Sequence, residues 1–198
     1  MKILFAAPER DLLECYKILL EEDFGETVTA FDGTQAASLL STENFDIVVL
    51  DRDIPRIDHK KLTQLAHKNN SPVIVLTDEP VSAAQLTEDV IPNAYLSYPF
   101  NPEEMEDKIR DMIDKATSDE KLTVGDTEIE VSGFRIKDGP RLTSTEINVL
   151  QSLKNGGSVT TEDGAYISAL NAKFTQTGTK TRIKYKEKKG FELVTEDE

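Results

Sequence analysis

Short, continuous apolar runs alternate with amphipathic stretches through the first 117 of the 198 residues. The apolar runs span residues 2–6, 27–31, 47–50, 73–76 and 94–96, and the amphipathic stretches span residues 11–23, 34–42, 60–69, 82–91 and 103–116. Continuous runs of Val, Ile and Leu are typical of parallel strands that are covered on both faces. The stretches between them predict helices that cross from one strand to the next. The alternation therefore predicts an α/β fold with a parallel five-stranded sheet between two layers of helices.

The carboxyl ends of the strands form the functional crevice in a sheet of this kind. The residues at those ends are 7–9, 51–53, 77–79 and 97–100. They include the carboxylates of Asp51 and Asp53 and the hydroxyls of Thr77 and Tyr98. We therefore expect the binding or reaction chemistry of this domain at these residues.

A different pattern follows a short polar linker at residues 116–120. Residues 122–124, 127–131 and 134–136 read as small antiparallel strands separated by turn residues. Thr143 and Glu146 form a capping box that opens a helix over residues 144–154, and a second helix is predicted over residues 161–174. Strict alternation at residues 181–186, a Lys-Lys-Gly turn and the apolar residues 191–194 predict a hairpin. This order of elements is typical of a small α+β winged-helix domain, so we expect two domains, 1–117 and 118–198.

Charge divides the chain in the same way. Residues 1–117 carry 11 Lys and Arg against 23 Asp and Glu, and residues 118–198 carry 12 against 14. Within the second part, residues 173–189 hold seven basic residues and one acid, Glu187. Nucleic acid is repelled by the acidic first part and attracted by this basic patch. The asymmetry therefore predicts two modules with different partners.

Several classes of protein are disfavoured by what the sequence lacks. The single cysteine, Cys15, excludes an internal disulfide, and two histidines leave little material for a zinc site or a Ser-His-Asp triad. No apolar run approaches the ~18 residues of a membrane helix. No clustered nucleophile, base and oxyanion donor can be assembled. We therefore expect a protein of a reducing compartment, the cytoplasm, that is not an enzyme.

The motifs resemble the response regulators of two-component signalling, specifically the OmpR/PhoB class. The first half carries the resemblance at Phe31-Asp-Gly-Thr-Gln-Ala36, Phe45-Asp-Ile-Val-Val-Leu-Asp51, Ile54-Pro-Arg-Ile-Asp58, Pro72-Val-Ile-Val-Leu-Thr77 and Tyr95-Leu-Ser-Tyr-Pro-Phe100. The second half carries it at Leu142-Thr-x-x-Glu146-x-x-x-Leu150, Ile167-x-x-Leu170-x-x-Lys173-Phe174 and Lys189-Gly-Phe-Glu-Leu193. The resemblance implies a flavodoxin-like (βα)5 receiver domain followed by a winged-helix effector domain.

The resemblance implies that Asp51 is the phosphoacceptor, yet most of the machinery around it is replaced. The family's two metal-binding acids fall on Ala7 and Pro8, and its lysine after the fifth strand falls on Tyr98. Without the metal and the lysine, an added phosphoryl dianion would be repelled by neighbouring carboxylates. We therefore predict a pseudo-receiver in which Asp51 is phosphoacceptor-like but inactive and the Mg²⁺ site is lost.

Two alternatives to this interpretation stay open at the level of sequence. Asp51 could still form an inducible acyl phosphate. Glu9, one residue beyond the expected register, or Asp11, at the start of the first helix, could replace the missing metal ligands.

The resemblance also assigns switch-like roles and a partner surface within the first half. Thr77 and Tyr95 fall on the family's switch hydroxyl and switch aromatic. With the phosphoryl trigger gone, we expect them to hold one conformation rather than to toggle between two. A homodimer through residues 82–116, from Ser82 to Ala116, is implied, with aromatic area from Tyr95 and Tyr98.

The second half departs from the class as well, because most of the helix that normally precedes the recognition helix is missing. We predict double-stranded DNA as the partner, with Asn171 reading adenine and Lys173 a phosphate or guanine. The hairpin supplies most of the charge, through Lys180, Arg182, Lys184, Lys186, Lys188 and Lys189. Alternatively, the lysines only protect an edge strand from aggregation. The runner-up function is an interaction module that has lost DNA binding and docks RNA polymerase or another regulator.

Overall fold

The computed structural model describes residues 1–118, 121–187 and 190–195. Its contacts divide the chain into two compact units. The first unit is Met1–Pro80 with Pro92–Met112, and the second is Val81–Ile91 with Ile113–Glu198. The predicted boundary at residue 117 therefore lies five residues beyond this division, and the segment Val81–Ile91 groups with the second half of the chain.

The first unit contains one parallel sheet. Its strands are β1 (Lys2–Ala6), β2 (Glu26–Ala30), β3 (Ile47–Asp51), β4 (Val73–Thr77) and β5 (Ala94–Ser97), in the order β2-β1-β3-β4-β5. The helices of this part of the chain are α1 (Arg10–Phe24), α2 (Gly33–Thr42), α3 (His59–Lys68), α4 (Ala83–Leu86) and α5 (Pro102–Ala116). The predicted parallel five-stranded fold is confirmed.

Burial of the central strands explains why their sequences are apolar without alternation. Leu4, Val48, Leu50 and Val75 are fully buried, and they share one cluster with Leu62 of α3. A fully buried side chain of this kind stabilises the fold by about 1.5–3 kcal/mol. Two layers of helices are therefore needed to cover the sheet, as predicted.

Capping side chains fix where two of the helices begin. The Asp32 carboxylate accepts hydrogen bonds from Thr34 N and Gln35 N at the start of α2, and Asp58 accepts one from Lys61 N at the start of α3. Each carboxylate satisfies an amide that the helix itself leaves unpaired. Both helices therefore begin in the segments that follow the carboxyl ends of β2 and β3.

The helix predicted over residues 82–91 is wrong in extent, because α4 is a single turn. Ser82 and Gln85 form a capping box, and the Thr87 hydroxyl donates to Ala83 O and Ala84 O at the end of the turn. Continuing the helix would place the Glu88 and Asp89 carboxylates at its C-terminus, where negative charge is unfavourable. The turn therefore ends at Leu86.

The second unit holds the elements predicted for a winged helix, in the predicted order. They are β6 (Lys121–Val124), β7 (Thr127–Glu130), β8 (Arg135–Ile136), α6 (Ser144–Lys154), a 3₁₀ turn (Thr161–Asp163), α7 (Gly164–Gln176), β9 (Thr181–Lys186) and β10 (Gly190–Thr195). β6 to β8 form an antiparallel sheet and β9 pairs with β10. The Thr143–Glu146 capping box is confirmed. Between α6 and α7 the chain forms only the 3₁₀ turn, as the short spacer predicted. None of the helices within the described residues combines the length and apolar character that a bilayer crossing requires.

Candidate functional site

The polar groups predicted at the carboxyl ends of the strands do meet in one crevice. Asp51 ends β3, Thr77 ends β4, and Tyr98 follows β5. Together with Pro8 and Arg52 they line a cavity of about 320 Å³, which we call the Asp51 crevice. The carboxylates of Glu9, Asp53 and Asp78 also line it. The crevice is therefore dominated by negative charge, with Arg52 as the cation among its lining residues.

Both oxygens of the Asp51 carboxylate are engaged by the protein itself. Oδ1 accepts a hydrogen bond from Asp53 N at 2.8 Å, and Oδ2 accepts one from the Tyr98 hydroxyl at 3.1 Å. Burial raises the pKa of Asp51, and these two hydrogen bonds act in the opposite direction. Burial, then the nearby Asp51 charge, raises the pKa of Tyr98 strongly, so this hydroxyl stays protonated as the donor. The tyrosine thus holds the carboxylate at the position where the family places a lysine.

An aromatic row fixes the Tyr98 ring. It stacks on Phe100 at 4.8 Å between centroids, and Phe100 lies 5.4 Å from the Tyr16 ring of α1. Tyr16 in turn meets Phe5 of β1 edge-on at 5.8 Å. Contacts of this kind add stabilisation beyond simple burial. These ring contacts therefore restrict the Tyr98 side chain and hold its hydroxyl against Asp51.

The hydroxyl of Thr77 is engaged as well. It accepts hydrogen bonds from Glu79 N at 3.2 Å and from Arg52 Nη1 at 3.4 Å, and the same Arg52 nitrogen lies 2.6 Å from Glu79 Oε2. His59 Nδ1 lies 3.0 Å from Arg52 O and so fixes the backbone at this point. The guanidinium therefore bridges the ends of β3 and β4 across the crevice.

Tyr95, the second switch-like residue, lies elsewhere. It is half-buried and packs against the hydrophobic cluster of the first unit. Its register partner on β4 is Val75, whereas Thr77 pairs with Ser97. The structure therefore places the two switch-like residues on neighbouring strands, at different register positions.

The carboxylates that line the Asp51 crevice are not grouped as metal ligands in the part of the chain that the structure describes. Ala7 is fully buried and Pro8 lines the crevice, so neither offers an oxygen ligand from its side chain. Glu9 lines the crevice, and Asp11 lies in the first turn of α1. Within the described ranges, no three His, Cys, Asp or Glu side chains are grouped so that they could hold a metal ion. The donor set of the described residues therefore does not fit a resident Mg²⁺ ion.

In the second unit, the prediction that Lys173 contacts DNA is wrong. Its side chain is 2% exposed, and its Nζ lies 2.7 and 2.8 Å from the two carboxylate oxygens of Glu146. Burial lowers the pKa of Lys173 and raises the pKa of Glu146, and the attraction between the two opposes both shifts. Because Glu146 also caps α6 through Thr143 N, the pair joins α6 to α7 inside the core.

The prediction that Asn171 reads a base is also wrong. Its Nδ2 donates to Ile183 O at 2.9 Å, and its Oδ1 accepts from Ile183 N at 2.8 Å. A side-chain amide that satisfies both polar groups of one backbone residue behaves like a neighbouring strand. Asn171 therefore attaches β9 to α7 and has no donor or acceptor pattern left for adenine.

The basic residues of the hairpin β9–β10, which we call the basic hairpin, divide into two groups. Arg182 is half-buried and donates to Thr179 O at 2.7 Å and Thr181 O at 2.6 Å, and Lys186 pairs with Glu192 at 2.7 Å. Lys180, just before β9, and Lys184 are exposed. Lys188 and Lys189 lie outside the described residues. Among the described residues, the exposed members of the predicted DNA contacts are thus Lys180, Lys184 and Lys186.

Asp126, in the turn between β6 and β7, anchors the basic hairpin. Its carboxylate accepts hydrogen bonds from the hydroxyls of Thr179 and Thr181 and from Lys180 N. These donors hold the pKa of Asp126 far below its usual range. The separation of more than fifty residues left no local signal for this contact.

The exposed side of α7 carries no charge. It is formed by Ser168, Ala172, Thr175 and Gln176, whereas Ile167, Leu170 and Phe174 are buried. Without cations, this side cannot supply the electrostatic part of nucleic-acid binding. Of α7 and the basic hairpin, it is therefore the hairpin that offers exposed cations within the described residues.

Comparison with known proteins agrees with this architecture. The family model of the response regulator receiver domain matches residues 3–110. That is more than half of the chain, so the chain belongs to the response regulator receiver family, as its motifs predicted.

The chain is 30% identical over 142 residues to a probable transcriptional regulator, ycf27, of Cyanophora paradoxa, in a match that covers 65% of this chain and 59% of that protein. It is 30% identical over 173 residues to the transcriptional regulatory protein CpxR of Escherichia coli K12, covering 77% of this chain and 72% of that protein. A CheY-like receiver domain protein of Methanospirillum hungatei shares the fold, with a TM-score of 0.53 and 22% identity over 57% of this chain and 93% of that one. Against the ycf27 proteins of three organisms, the chain spans 59, 59 and 65% of their length.

Proposed function

We propose that this chain is an atypical response regulator that binds double-stranded DNA and regulates transcription without phosphorylation of Asp51. The hydrogen bond from the Tyr98 hydroxyl to Asp51 Oδ2 is the observation that carries independence from phosphorylation. DNA binding is supported by the basic hairpin and by relatives that are named transcriptional regulators.

Phosphorylation of Asp51 is opposed at three points. The attacking oxygens are already engaged by Asp53 N and Tyr98, and the phosphoryl group would approach the carboxylates of Glu9 and Asp78. The described residues do not group three His, Cys, Asp or Glu side chains into a metal site that would offset this charge. Phosphoryl transfer depends on positioning and on stabilising negative charge. The Asp51 crevice provides neither.

The test of this half is intact-mass measurement. The full chain is incubated with Mg²⁺ and acetyl phosphate, with Asp51→Asn as the matched control. We expect no stoichiometric mass gain in either protein. A gain of one phosphoryl group in the wild type that Asp51→Asn abolishes would contradict the proposal.

DNA binding rests on the exposed cations of the basic hairpin. Because Lys173 is paired inside the core and Asn171 is used by β9, the contact is expected to be mainly electrostatic and weakly selective for sequence. With about three phosphates engaged, the slope of log affinity against log salt is expected near −2.7, at ~0.9 per phosphate.

A salt titration of duplex DNA with the full chain tests this half. The full chain is required because a fragment that starts at residue 118 would lose Val81–Ile91, which belongs to the second unit. We expect Lys184→Glu to weaken binding about tenfold or more and to flatten the slope. Lys121→Glu, the same charge change at an exposed residue of β6, is the control and is expected to have a much smaller effect. If the wild type shows no DNA binding at low salt, the interaction module becomes the better interpretation.

Homodimerisation through residues 82–116 is part of the same proposal, in revised form. Tyr95 is half-buried against the hydrophobic cluster and the Tyr98 hydroxyl bonds Asp51, so only part of the predicted aromatic area is available to a partner. The exposed residues of α5 are mostly charged, for example Glu103 and Asp107. A dimer here would therefore be polar and sensitive to salt. Light scattering at micromolar concentration, with Asp107→Lys as the perturbing change, tests for it: a monomer at every salt concentration would exclude the contact.

A further inference from the structure

Tyr185 breaks the burial pattern of the basic hairpin. Alternation along β9 predicts that Ile183 and Tyr185 both face the core, opposite Lys184. Ile183 is indeed 4% exposed, but Tyr185 is 63% exposed. The apolar side of the hairpin therefore extends two residues past Ile183, beyond the part that α7 covers. At that point the Tyr185 ring is exposed to solvent.

The Tyr185 ring is held in place from behind. Its register partner on β10 is Phe191, and the two rings meet edge-on at 5.4 Å between centroids and 69° between planes. Phe191 is itself half-buried. Cross-strand aromatic pairs stabilise hairpins, so Tyr185 is a preorganised surface whose ordering does not have to be supplied on binding.

The surroundings of the ring indicate what it would contact. Lys184 and Lys186 flank it in sequence, and Lys180 and Arg182 precede them at the base of the hairpin. Against these four cations, the described part of the hairpin holds two acids, Glu187 and Glu192, and Glu192 pairs with Lys186. A rigid aromatic ring among an excess of cations is complementary to a polyanion with flat, apolar surfaces between its charges. Nucleic acid has that chemistry, with its sugars and bases lying between phosphates.

We propose that Tyr185 is a direct DNA contact, packing its ring on a deoxyribose or a base edge of the duplex while the hairpin cations contact the flanking phosphates. This inference rests on the proposed DNA-binding function and adds to it a second, apolar component of the affinity. The two components respond differently to salt. Phosphate contacts release counterions and set the salt slope, whereas the burial of a neutral ring lowers the dissociation constant by the same factor at every salt concentration.

The experiment is a salt titration of one duplex with the full chain and three variants. Tyr185→Ala is expected to lose affinity about 5- to 30-fold with an unchanged slope, equivalent to about 1–2 kcal/mol at 1.4 kcal/mol per tenfold. Tyr185→Phe keeps the ring and is expected to stay within about twofold of the wild type. Ile18→Ala, at the exposed apolar residue of α1, is the matched control and is expected to bind like the wild type.

Tyrosine fluorescence provides a second readout, because the chain has no tryptophan and five tyrosines. Tyr185 is the most exposed of the described tyrosines. DNA is expected to quench part of the emission of the wild type, and that part is expected to be missing in Tyr185→Phe.

The outcomes separate the inference from the function on which it rests. If the wild type does not bind DNA, the proposed function fails and the inference fails with it. If the wild type binds and Tyr185→Ala binds equally well, only the inference is overturned, and the exposed ring is better explained as a protein contact. A flatter salt slope in Tyr185→Ala, or an equal loss in Tyr185→Phe, would also overturn it, because the ring would then act through the cations or the hydroxyl would be the contact.

Discussion

The Asp51 crevice and the pair Glu146–Lys173 use charged groups in opposite ways. In the crevice, Asp51 stands at the end of a strand beside solvent, and its neighbours Tyr98 and Asp53 satisfy it. In the second unit, the two charges are almost fully buried and satisfy each other. In the first arrangement, Asp51 keeps the family's position at the end of the strand, and hydrogen bonds from Asp53 N and Tyr98 occupy its two carboxylate oxygens. In the second, Lys173, which the sequence predicts to contact a partner, is part of the core.

The difference shows which sequence signals fix the direction of a side chain. A continuous apolar run fixes the last residue of a buried parallel strand, so the crevice position of Asp51 follows from the sequence. A helical pattern, in contrast, does not fix whether each residue next to its buried side is covered. Ile167, Leu170 and Phe174 define one buried side of α7, but nothing local to the sequence says that the neighbouring Lys173 is covered as well.

The largest effect is expected from breaking the buried pair. Lys173→Met leaves the Glu146 carboxylate buried without its partner, which is expected to destabilise the second unit by about 3–5 kcal/mol. The double variant Glu146→Gln, Lys173→Met keeps a capping side chain and removes both charges, so it is expected to recover most of this loss. Urea unfolding followed by circular dichroism measures both. If Lys173→Met instead unfolds like the wild type and only weakens DNA binding, Lys173 is exposed in solution and the comparison fails.

A smaller effect is expected at Asn171. Asn171→Ala leaves the N–H and C=O of Ile183 without their partners, which is expected to cost about 2 kcal/mol in unfolding free energy. Ser168→Ala, at an exposed position on the same helix, is expected to change it by less than ~0.5 kcal/mol. A base-reading role would give the reverse result: unchanged stability and altered preference among DNA sequences.

The hydroxyl of Tyr98 is expected to matter less than either residue of α7. Tyr98→Phe keeps the aromatic row and removes one hydrogen bond to a half-buried carboxylate, for an expected loss of about 1 kcal/mol. Because that bond lowers the pKa of Asp51, its removal is expected to raise this pKa further. An NMR titration of the Asp51 carboxyl carbon in both proteins checks the direction. An unchanged pKa would mean that the hydroxyl does not reach Asp51.

The smallest effect concerns the charge of Asp51. Its folded pKa is raised mainly by burial, so folding favours the neutral form. This contribution to stability is therefore fully present below the unfolded pKa and is lost as the pH rises through the folded pKa. Asp51→Asn, which is neutral at every pH, is expected to raise the melting temperature by about 1–3 °C at pH 7 and to lose that advantage at pH 3. A gain that is equal at both pH values would show that charge is not its cause.

The sequence predicted most of the fold and less of the sites. The parallel five-stranded sheet and the winged-helix elements follow from the alternation of patterns and from turn and capping residues such as Thr143 and Glu146. The length of α4 was not predicted correctly. The carboxylates of Glu88 and Asp89 would be unfavourable at the C-terminus of a longer helix, and this effect is less evident in a sequence than a Gly or Pro helix breaker. At the sites, residue identities predicted the loss of the lysine and the metal ligands. The Tyr98–Asp51 bond, the anchoring of the basic hairpin by Asp126 and the exposure of Tyr185 depend on contacts between distant residues, which local patterns do not encode.

One measurement tests the central claim most directly: the affinity of the full chain for duplex DNA before and after treatment with acetyl phosphate and Mg²⁺, with Asp51→Asn and Lys184→Glu measured beside it. We expect the treated and untreated wild type and Asp51→Asn to agree within about twofold, and Lys184→Glu to bind about tenfold more weakly or worse. A change in affinity on treatment that Asp51→Asn abolishes, together with unchanged binding by Lys184→Glu, would contradict both the silent Asp51 crevice and the basic hairpin as the DNA contact.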